Sequence, residues 1–215
     1  VGMATSIPPH NLTEVMTAVI ACIDNPDIDL EDLIALVPAP DFPTGAMICG
    51  NHGARQAYRT GRGSVTMRSV TEIEEDKNRT RIIVTEIPYQ VSKGRLVEQI
   101  ADAVRDKRIE GISDLRDESS REGIRIVIEL KKEAMAEVVL NQLYERTQLQ
   151  ENFSFTMLAI ANKRPKIFNL KELLQAFIAH RKEVVVRRSI FELRKAQMRA
   201  HILEGYVKAL DKIDA

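Results

Sequence analysis

The sequence predicts an α+β protein: a two-layer sandwich of antiparallel sheet and helices, made of two ββα units, flanked by helical segments and ending in a long coiled-coil-type helix. Three observations predict it. Between residues 64 and 146 a hairpin pattern followed by an amphipathic helix occurs twice. Near the start, a helix-cap signature follows a pair of prolines. From Asn169 onward a helical pattern runs with no proline to interrupt it.

The first element to justify is the stretch Ile7-Pro8-Pro9-His10-Asn11. Each proline removes an amide donor and biases the residue before it away from helical conformations, so Ile7 is expected on a stiff, extended turn. Asn11 reads as a helix cap with Glu14 at the capping-box position, and Leu12, Val15, Val19 and Ile23 give the apolar spacing of the helix that follows. Two readings of Ile7 stand side by side. An apolar side chain on a braced tip can wedge between base pairs and kink a duplex. It can equally fold back as a hydrophobic staple on its own helix.

Asp24-Asn25-Pro26-Asp27 is a turn, and Leu30, Leu33, Ile34 and Val37 mark a short helix that ends before Pro38. Pro38, Pro40 and Pro43 then enforce an extended connector, which places a domain boundary there and gives segments 1–44, 45–160 and 161–215. Gly45, Gly50 and Gly53 lie in a turn region, followed by a helical patch around Tyr58 and the tight basic turn Arg59-Thr60-Gly61-Arg62-Gly63. Its two glycines fall short of a nucleotide-loop pattern.

The first hairpin is read as Val65–Val70 with Arg81–Ile87, joined through the polar run Glu74-Glu75-Asp76-Lys77-Asn78, and a helix over 92–104 follows. The second is Ile112–Asp117 with Ile124–Leu130, followed by a helix over 133–144. Ile124, Ile126, Ile128 and Leu130 alternate with Arg125 and Glu129 as in a half-buried strand. Leu96, Val97, Ile100 and Val104 form one covering stripe, and Met135, Val138, Val139 and Leu143 the other. RNA-recognition folds of similar layout stack bases on aromatic rings in central strands. Neither 81–87 nor 124–130 has one, which argues against single-stranded RNA. Lys93 and Arg95 stand in the first helical turn, where the helix dipole disfavours positive charge by about 0.3–1 kcal/mol. A phosphate held there would offset this cost. Simple solvation of two long side chains is the other reading.

The last helix has Asn169 as cap and Glu172 at the capping-box position, and would span roughly 65 Å. Leu170, Phe177, Val184, Phe191 and Met198 fall seven apart as a coiled-coil seam. His180, Arg187, Arg194 and His201 make one flanking column, with Arg181, Arg188 and Lys195 beside it. Val186, Ile190 and Leu193 form a second apolar patch, so the helix reads as a strut held between two surfaces.

Charge is balanced at 31 basic and 31 acidic residues but unevenly placed. Residues 1–54 have no Lys or Arg, whereas 162–200 hold 11 basic side chains against three acidic ones, which suggests an anionic surface nearby. Cys22 and Cys49 have no disulfide-framework or metal spacing, and no apolar run reaches membrane-spanning length. A cytoplasmic protein that does not enter a membrane is expected. Residues 1–6 read as mid-loop and the helical pattern still runs at Ala215, so a piece of a longer polypeptide is expected too. His10, His52, His180 and His201 have no metal-ligand partners at suitable spacing, and no catalytic triad stands out. Tyr58, Tyr89, Tyr144 and Tyr206 are available, with Tyr144 and Tyr206 placed in amphipathic pattern as packing residues. From these residues alone a non-enzymatic module, its basic helix docked on an acidic partner, stays open beside a DNA-binding role.

Over essentially its whole length the chain resembles the A subunits of bacterial DNA gyrase, a type IIA topoisomerase family whose close relatives are the topoisomerase IV C subunits. The segments that carry the resemblance are Val1-Gly2-Met3-Ala4-Thr5 and Ile7-Pro8-Pro9-His10-Asn11-Leu12, Pro40-Asp41-Phe42-Pro43-Thr44, and Tyr58-Arg59-Thr60-Gly61-Arg62-Gly63. Glu86-Ile87-Pro88-Tyr89-Gln90-Val91, Leu115-Arg116-Asp117-Glu118-Ser119, Thr147-Gln148-Leu149-Gln150, Phe191-Glu192-Leu193-Arg194-Lys195 and His201-Ile202-Leu203-Glu204 continue it. The resemblance implies the end of a winged-helix region in 1–44, the tower domain in 45–160 and the start of the coiled-coil arm in 161–215. It implies a homodimer that cuts double-stranded DNA with a tyrosine upstream of Ile7, so none of the four tyrosines here is catalytic. A partner B subunit would complete an A2B2 complex and supply ATP hydrolysis and the Mg2+ site, with no cofactor bound by this chain. Ile7 aligns with the isoleucine that intercalates and bends the gate duplex. Arg59, Arg62, Lys93 and Arg95 become candidate phosphate contacts for the bent arms.

Overall fold

Helix α1 (Leu12–Asp24) starts where the sequence places it: the Asn11 side-chain oxygen accepts from the amides of Thr13 and Glu14 at 3.0 and 3.4 Å. Asp29 caps helix α2 (Leu30–Leu36), its carboxylate accepting from the Leu30 amide at 2.7 Å. The proline connector leads through a turn in which Gly45 and Ala46 are both left-handed, and the Glu86 carboxylate accepts from the Ala46 amide to hold it. Strand β1 (Met47–Cys49), helix α3 (His52–Thr60) and strand β2 (Arg62–Arg68) follow. Here glycine is required. A Cβ on Gly63 would stand 2.5 Å from the Gly53 carbonyl oxygen, so the absence of side chains lets α3 lie directly on β2.

The computed structural model describes residues 2–76, 79–161 and 163–213. Val1, Lys77, Asn78, Asn162, Asp214 and Ala215 lie outside the described residues, and with them the end of the polar run expected to join the first hairpin.

The two ββα units are present. The first is β3 (Val70–Asp76), β4 (Arg79–Glu86) and α4 (Lys93–Arg105); the second is β5 (Ile112–Asp117), β6 (Ile126–Leu130) and α5 (Ala136–Arg146). They join edge to edge as an antiparallel sheet in the order β3-β4-β6-β5. The pairing of the first hairpin differs from expectation. The strand ending at Arg68 belongs to another sheet, and Val70–Asp76, including part of the supposed polar turn, pairs with β4. Glu74 faces Arg81 across the pair and lies 3.5 Å from Arg125, so its charge is met on the sheet face. An edge strand tolerates such residues because one of its sides is open to water. Ile82, Val84, Ile126 and Ile128 pack with Leu96 and Ile100 of α4 and Val139 and Leu143 of α5 as one core. Full burial of each such side chain contributes about 1.5–3 kcal/mol.

Strand β7 (Gln150–Thr156) returns to pair along the whole of β2, completing a sheet in the order β1-β2-β7. The hairpin β8 (Leu158–Ala161) and β9 (Arg164–Ile167) leads into α6 (Leu170–Ile213). A second core gathers Ala18, Val19, Leu33 and Ile34 from α1 and α2, Tyr58 from α3, Val65 and Met67 from β2, Phe155 from β7, and Leu170 and Leu174 from α6. Helix α6 has a full capping box: Glu172 N–H donates to Asn169 Oδ1 at 2.8 Å and Asn169 N–H to Glu172 Oε2 at 3.2 Å. It is 44 residues long, about 66 Å. Only its first turns are buried. Phe191 and Met198 on the heptad seam, Val186, Ile190 and Leu193 on the second patch, and both basic columns are exposed.

Candidate nucleic-acid interface

The tip at Ile7 is tied down on both sides. Before it, Ser6 exchanges two backbone hydrogen bonds with Thr156 at the end of β7, at 3.0 and 2.8 Å. After it, the Asp41 amide donates to the Pro9 carbonyl at 3.0 Å, and His10 Nδ1 donates to the Pro8 carbonyl at 2.8 Å. A carbonyl can only accept, so Nδ1 carries the proton and neutral Nε2 accepts from the Tyr58 hydroxyl at 2.8 Å. Pro8 is buried, yet Ile7 keeps 42% of its surface exposed and is not part of either core. Leu12 is 74% exposed, and Val15, the N4 position that a staple uses, packs against the first core, of which Ile7 is not a member. Burial holds His10 below the ordinary imidazole range, against the opposing pull of the Pro8 bond and the Asp41 charge. Burial, with a smaller push from Glu14, holds the Tyr58 phenol well above its usual range.

The four basic candidates fall in two places. Arg59 ends α3 and Arg62 opens β2, on either side of Gly61, whose left-handed backbone closes the helix and whose missing Cβ makes room for Phe168. Tyr58 puts this corner next to the Ile7 tip. Lys93 and Arg95 open α4, in the other core, and no hydrogen bond or ion pair among the described residues joins them to the tip. Two of the four carry a partner already. Arg59 grips Glu31 with two bonds at 2.7 and 2.9 Å, which lowers the Glu31 carboxyl and raises the guanidinium. Lys93 lies 2.7 Å from Asp117, so the charge that the start of α4 disfavours is answered inside the chain. Arg62 and Arg95 are exposed and have no ion pair among the described residues.

On the sheet face opposite α4 and α5, acids and arginines are interleaved. Glu129, with only 13% of its side chain exposed, is ringed by Arg79, Arg81 and Arg116 at 3.7, 3.5 and 3.0 Å. Arg116 also bonds Asp114 and Glu118; Glu129 first, then these two, keep its guanidinium above its ordinary range. The cluster balances its charges internally, although the buried Arg81 Nε makes no hydrogen bond, and these strands have no ring for stacking a base.

Three of the tyrosines have structural surroundings. Tyr58 is fully buried, Tyr89 packs in an aromatic group with Phe42 and Phe153, and the Tyr144 hydroxyl bonds Thr71 Oγ1 at 2.8 Å beneath the Arg68 guanidinium. Tyr206 is 60% exposed on the outer part of α6. Among the described residues no three His, Cys, Asp or Glu side chains cluster so as to hold a metal ion, and no helix is long and apolar enough to cross a membrane.

Sequence reasoning singles out Ile7 and the four cations but misses His10 as the link from Pro8 to Tyr58, and Glu31 and Asp117 as the partners of Arg59 and Lys93. The signal is faint: a histidine directly after two prolines, and acids remote in sequence.

Comparison with known proteins gives one consistent answer. A family model for the A subunits of DNA gyrase and topoisomerase IV matches residues 1–215. The DNA gyrase A subunit of Salmonella typhimurium is 59% identical over all of this chain, and those of Escherichia coli and Halalkalibacterium halodurans are each 58% identical over all of it. The chain spans 25–26% of the length of these relatives. With every residue matched by the model and identity well above half, the chain belongs to the family of DNA gyrase and topoisomerase IV A subunits.

Proposed function

We propose that this chain is the part of a bacterial type II DNA topoisomerase that seats and bends the duplex to be cut. The observation that carries this reading is Ile7: a large apolar side chain left 42% exposed on a tip whose neighbours are bonded in place. Such a residue inserts between base pairs and unstacks them at a cost of a few kcal/mol, which phosphate contacts along the bent arms offset. Arg62 and Arg95, which have no ion pair among the described residues, make those contacts directly. Arg59 and Lys93 join them by exchanging a carboxylate for a phosphate. In the whole protein two A subunits pair with two B subunits in the cytoplasm. The nucleophilic tyrosine is none of the four in this chain, and the B subunit supplies the Mg2+ site and ATP hydrolysis. By itself the chain has no cleavage activity.

The test is end-to-end distance of a fluorescently labelled duplex bound to the full-length dimer. Ile7→Ala straightens the DNA; a duplex that stays bent refutes the reading. A second reading, a protein-binding scaffold, draws on the exposed apolar residues of α6, among them Phe191 and Met198. Salt separates the two: phosphate binding weakens steeply between low and moderate salt, whereas apolar docking does not.

A further inference from the structure

We infer that His10 and Tyr58 position the Ile7 wedge, the imidazole acting as a bolt between the proline tip and the buried face of α3. The inference rests on the bending role proposed for Ile7. A wedge must hold its place while base pairs push back, and this tip is poorly equipped to hold itself. Pro8 and Pro9 have no amide hydrogen to donate, so fastening depends on their carbonyls. Pro9 is held by the Asp41 amide, and Pro8, the residue directly behind the wedge, is held by His10 Nδ1 at 2.8 Å.

The other end of the ring is fixed just as firmly. Tyr58 is 0% exposed, and its ring packs near Phe155 of β7, the strand whose end also pairs with Ser6. Helix α3 in turn lies on β2 at backbone distance through Gly53 and Gly63. The line from Ile7 therefore runs through Pro8, His10 and Tyr58 into a helix that cannot shift without moving a sheet. The ring is specific for this task, because its two nitrogens donate to a carbonyl on one side and accept from a hydroxyl on the other.

The experiment uses full-length dimers carrying Ile7→Ala, His10→Ala, Tyr58→Phe, the His10→Ala/Tyr58→Phe pair, or Tyr144→Phe. For each, bending of a labelled duplex is read beside affinity for a duplex already kinked by unpaired nucleotides. Tyr58→Phe should lower the bent-to-straight ratio about tenfold, as expected for one lost buried hydrogen bond, and His10→Ala, which loses the bonds to both Pro8 and Tyr58, by at least as much. Affinity for the kinked duplex should stay within about twofold, since the phosphate contacts are untouched. The pair should be no worse than His10→Ala alone, because the one bond that Tyr58→Phe removes is already lost with the imidazole. Tyr144→Phe, which removes a hydroxyl from the other core, should bend DNA like the wild type. If it straightens DNA equally, the effect is general destabilisation and the inference falls. If Ile7→Ala straightens DNA while His10→Ala and Tyr58→Phe do not, the bolt is refuted and the wedge stands. If Ile7→Ala leaves the bend intact, the underlying reading fails and this one with it.

Discussion

The Lys93 ammonium lies 2.7 Å from the Asp117 carboxylate, so a cation at the start of α4 is neutralised by the last residue of β5. Lys93, followed by the Ser119 hydroxyl and amide, draws the Asp117 carboxyl down to about 2. A phosphate that binds Lys93 must compete with this partner. Asp117→Asn should therefore tighten duplex binding at low salt and steepen its salt dependence by about one charge. Titrations at several salt concentrations measure it, and an unchanged slope removes Lys93 from the contact list.

Tyr144 ties α5 to the start of β3. Its hydroxyl bonds Thr71 at 2.8 Å and the Ser69 carbonyl at 3.4 Å, at the point where the chain passes from β2 to β3. Tyr144→Phe leaves the ring beneath Arg68 but strands these groups, and should cost about 1–3 kcal/mol. Urea denaturation of the wild type and variant gives the number.

Gly63 and Gly94 make opposite predictions. Gly63→Ala forces a methyl group to within 2.5 Å of the Gly53 carbonyl oxygen and 2.9 Å of the Ala57 amide, so α3 must lift from β2 at a cost of about 1–3 kcal/mol or more. A methyl group at Gly94, in the first turn of α4, meets nothing within 4 Å. Gly94→Ala should stabilise by about 0.5–1 kcal/mol. Thermal unfolding compares the two.

The brace at His10 also sets a pH dependence. Its folded pKa is depressed below the ordinary 6.5, chiefly by burial, so below pH 6.5 the unfolded chain binds the proton more readily. The stability that neutral His10 confers is thus fully present above 6.5 and declines as pH falls through the folded value. Since the carboxylates are common to both proteins, the difference between wild type and His10→Ala isolates this group. Denaturation at a series of pH values should show the gap narrowing toward acid.

Where pattern was local, the fold could be read from the chain. Asn11 and Asn169 announced their helices, and the alternation read from Ile124 to Leu130 marked a central strand, which begins at Ile126 and pairs on both sides. Non-local pairing escaped. Phe153 and Phe155 alternate as strand residues should, but β7 pairs with β2, more than 80 positions earlier, and no local period reports that. Glu74 looked like a turn residue because its counter-charges, Arg81 and Arg125, lie on or beside other strands. At the candidate interface, Ile7 and the basic residues were visible as residue types. Which cations were already paired was not: Glu31 stands 28 positions from Arg59, and Tyr58 stands 48 from His10.

Helix α6 is seated on α1 and α2 through Leu170, Leu173, Leu174 and Ile178, and the rest of its length extends past that platform. A rod held at one end multiplies rotation. With about 1.5 Å added per residue, a tilt of about 10° at Ile178 carries Ile213 through roughly 9 Å. A few leucines against two short helices thereby set the aim of the whole helix, and any shift of α1 transmitted from the Ile7 tip would arrive at the far end enlarged.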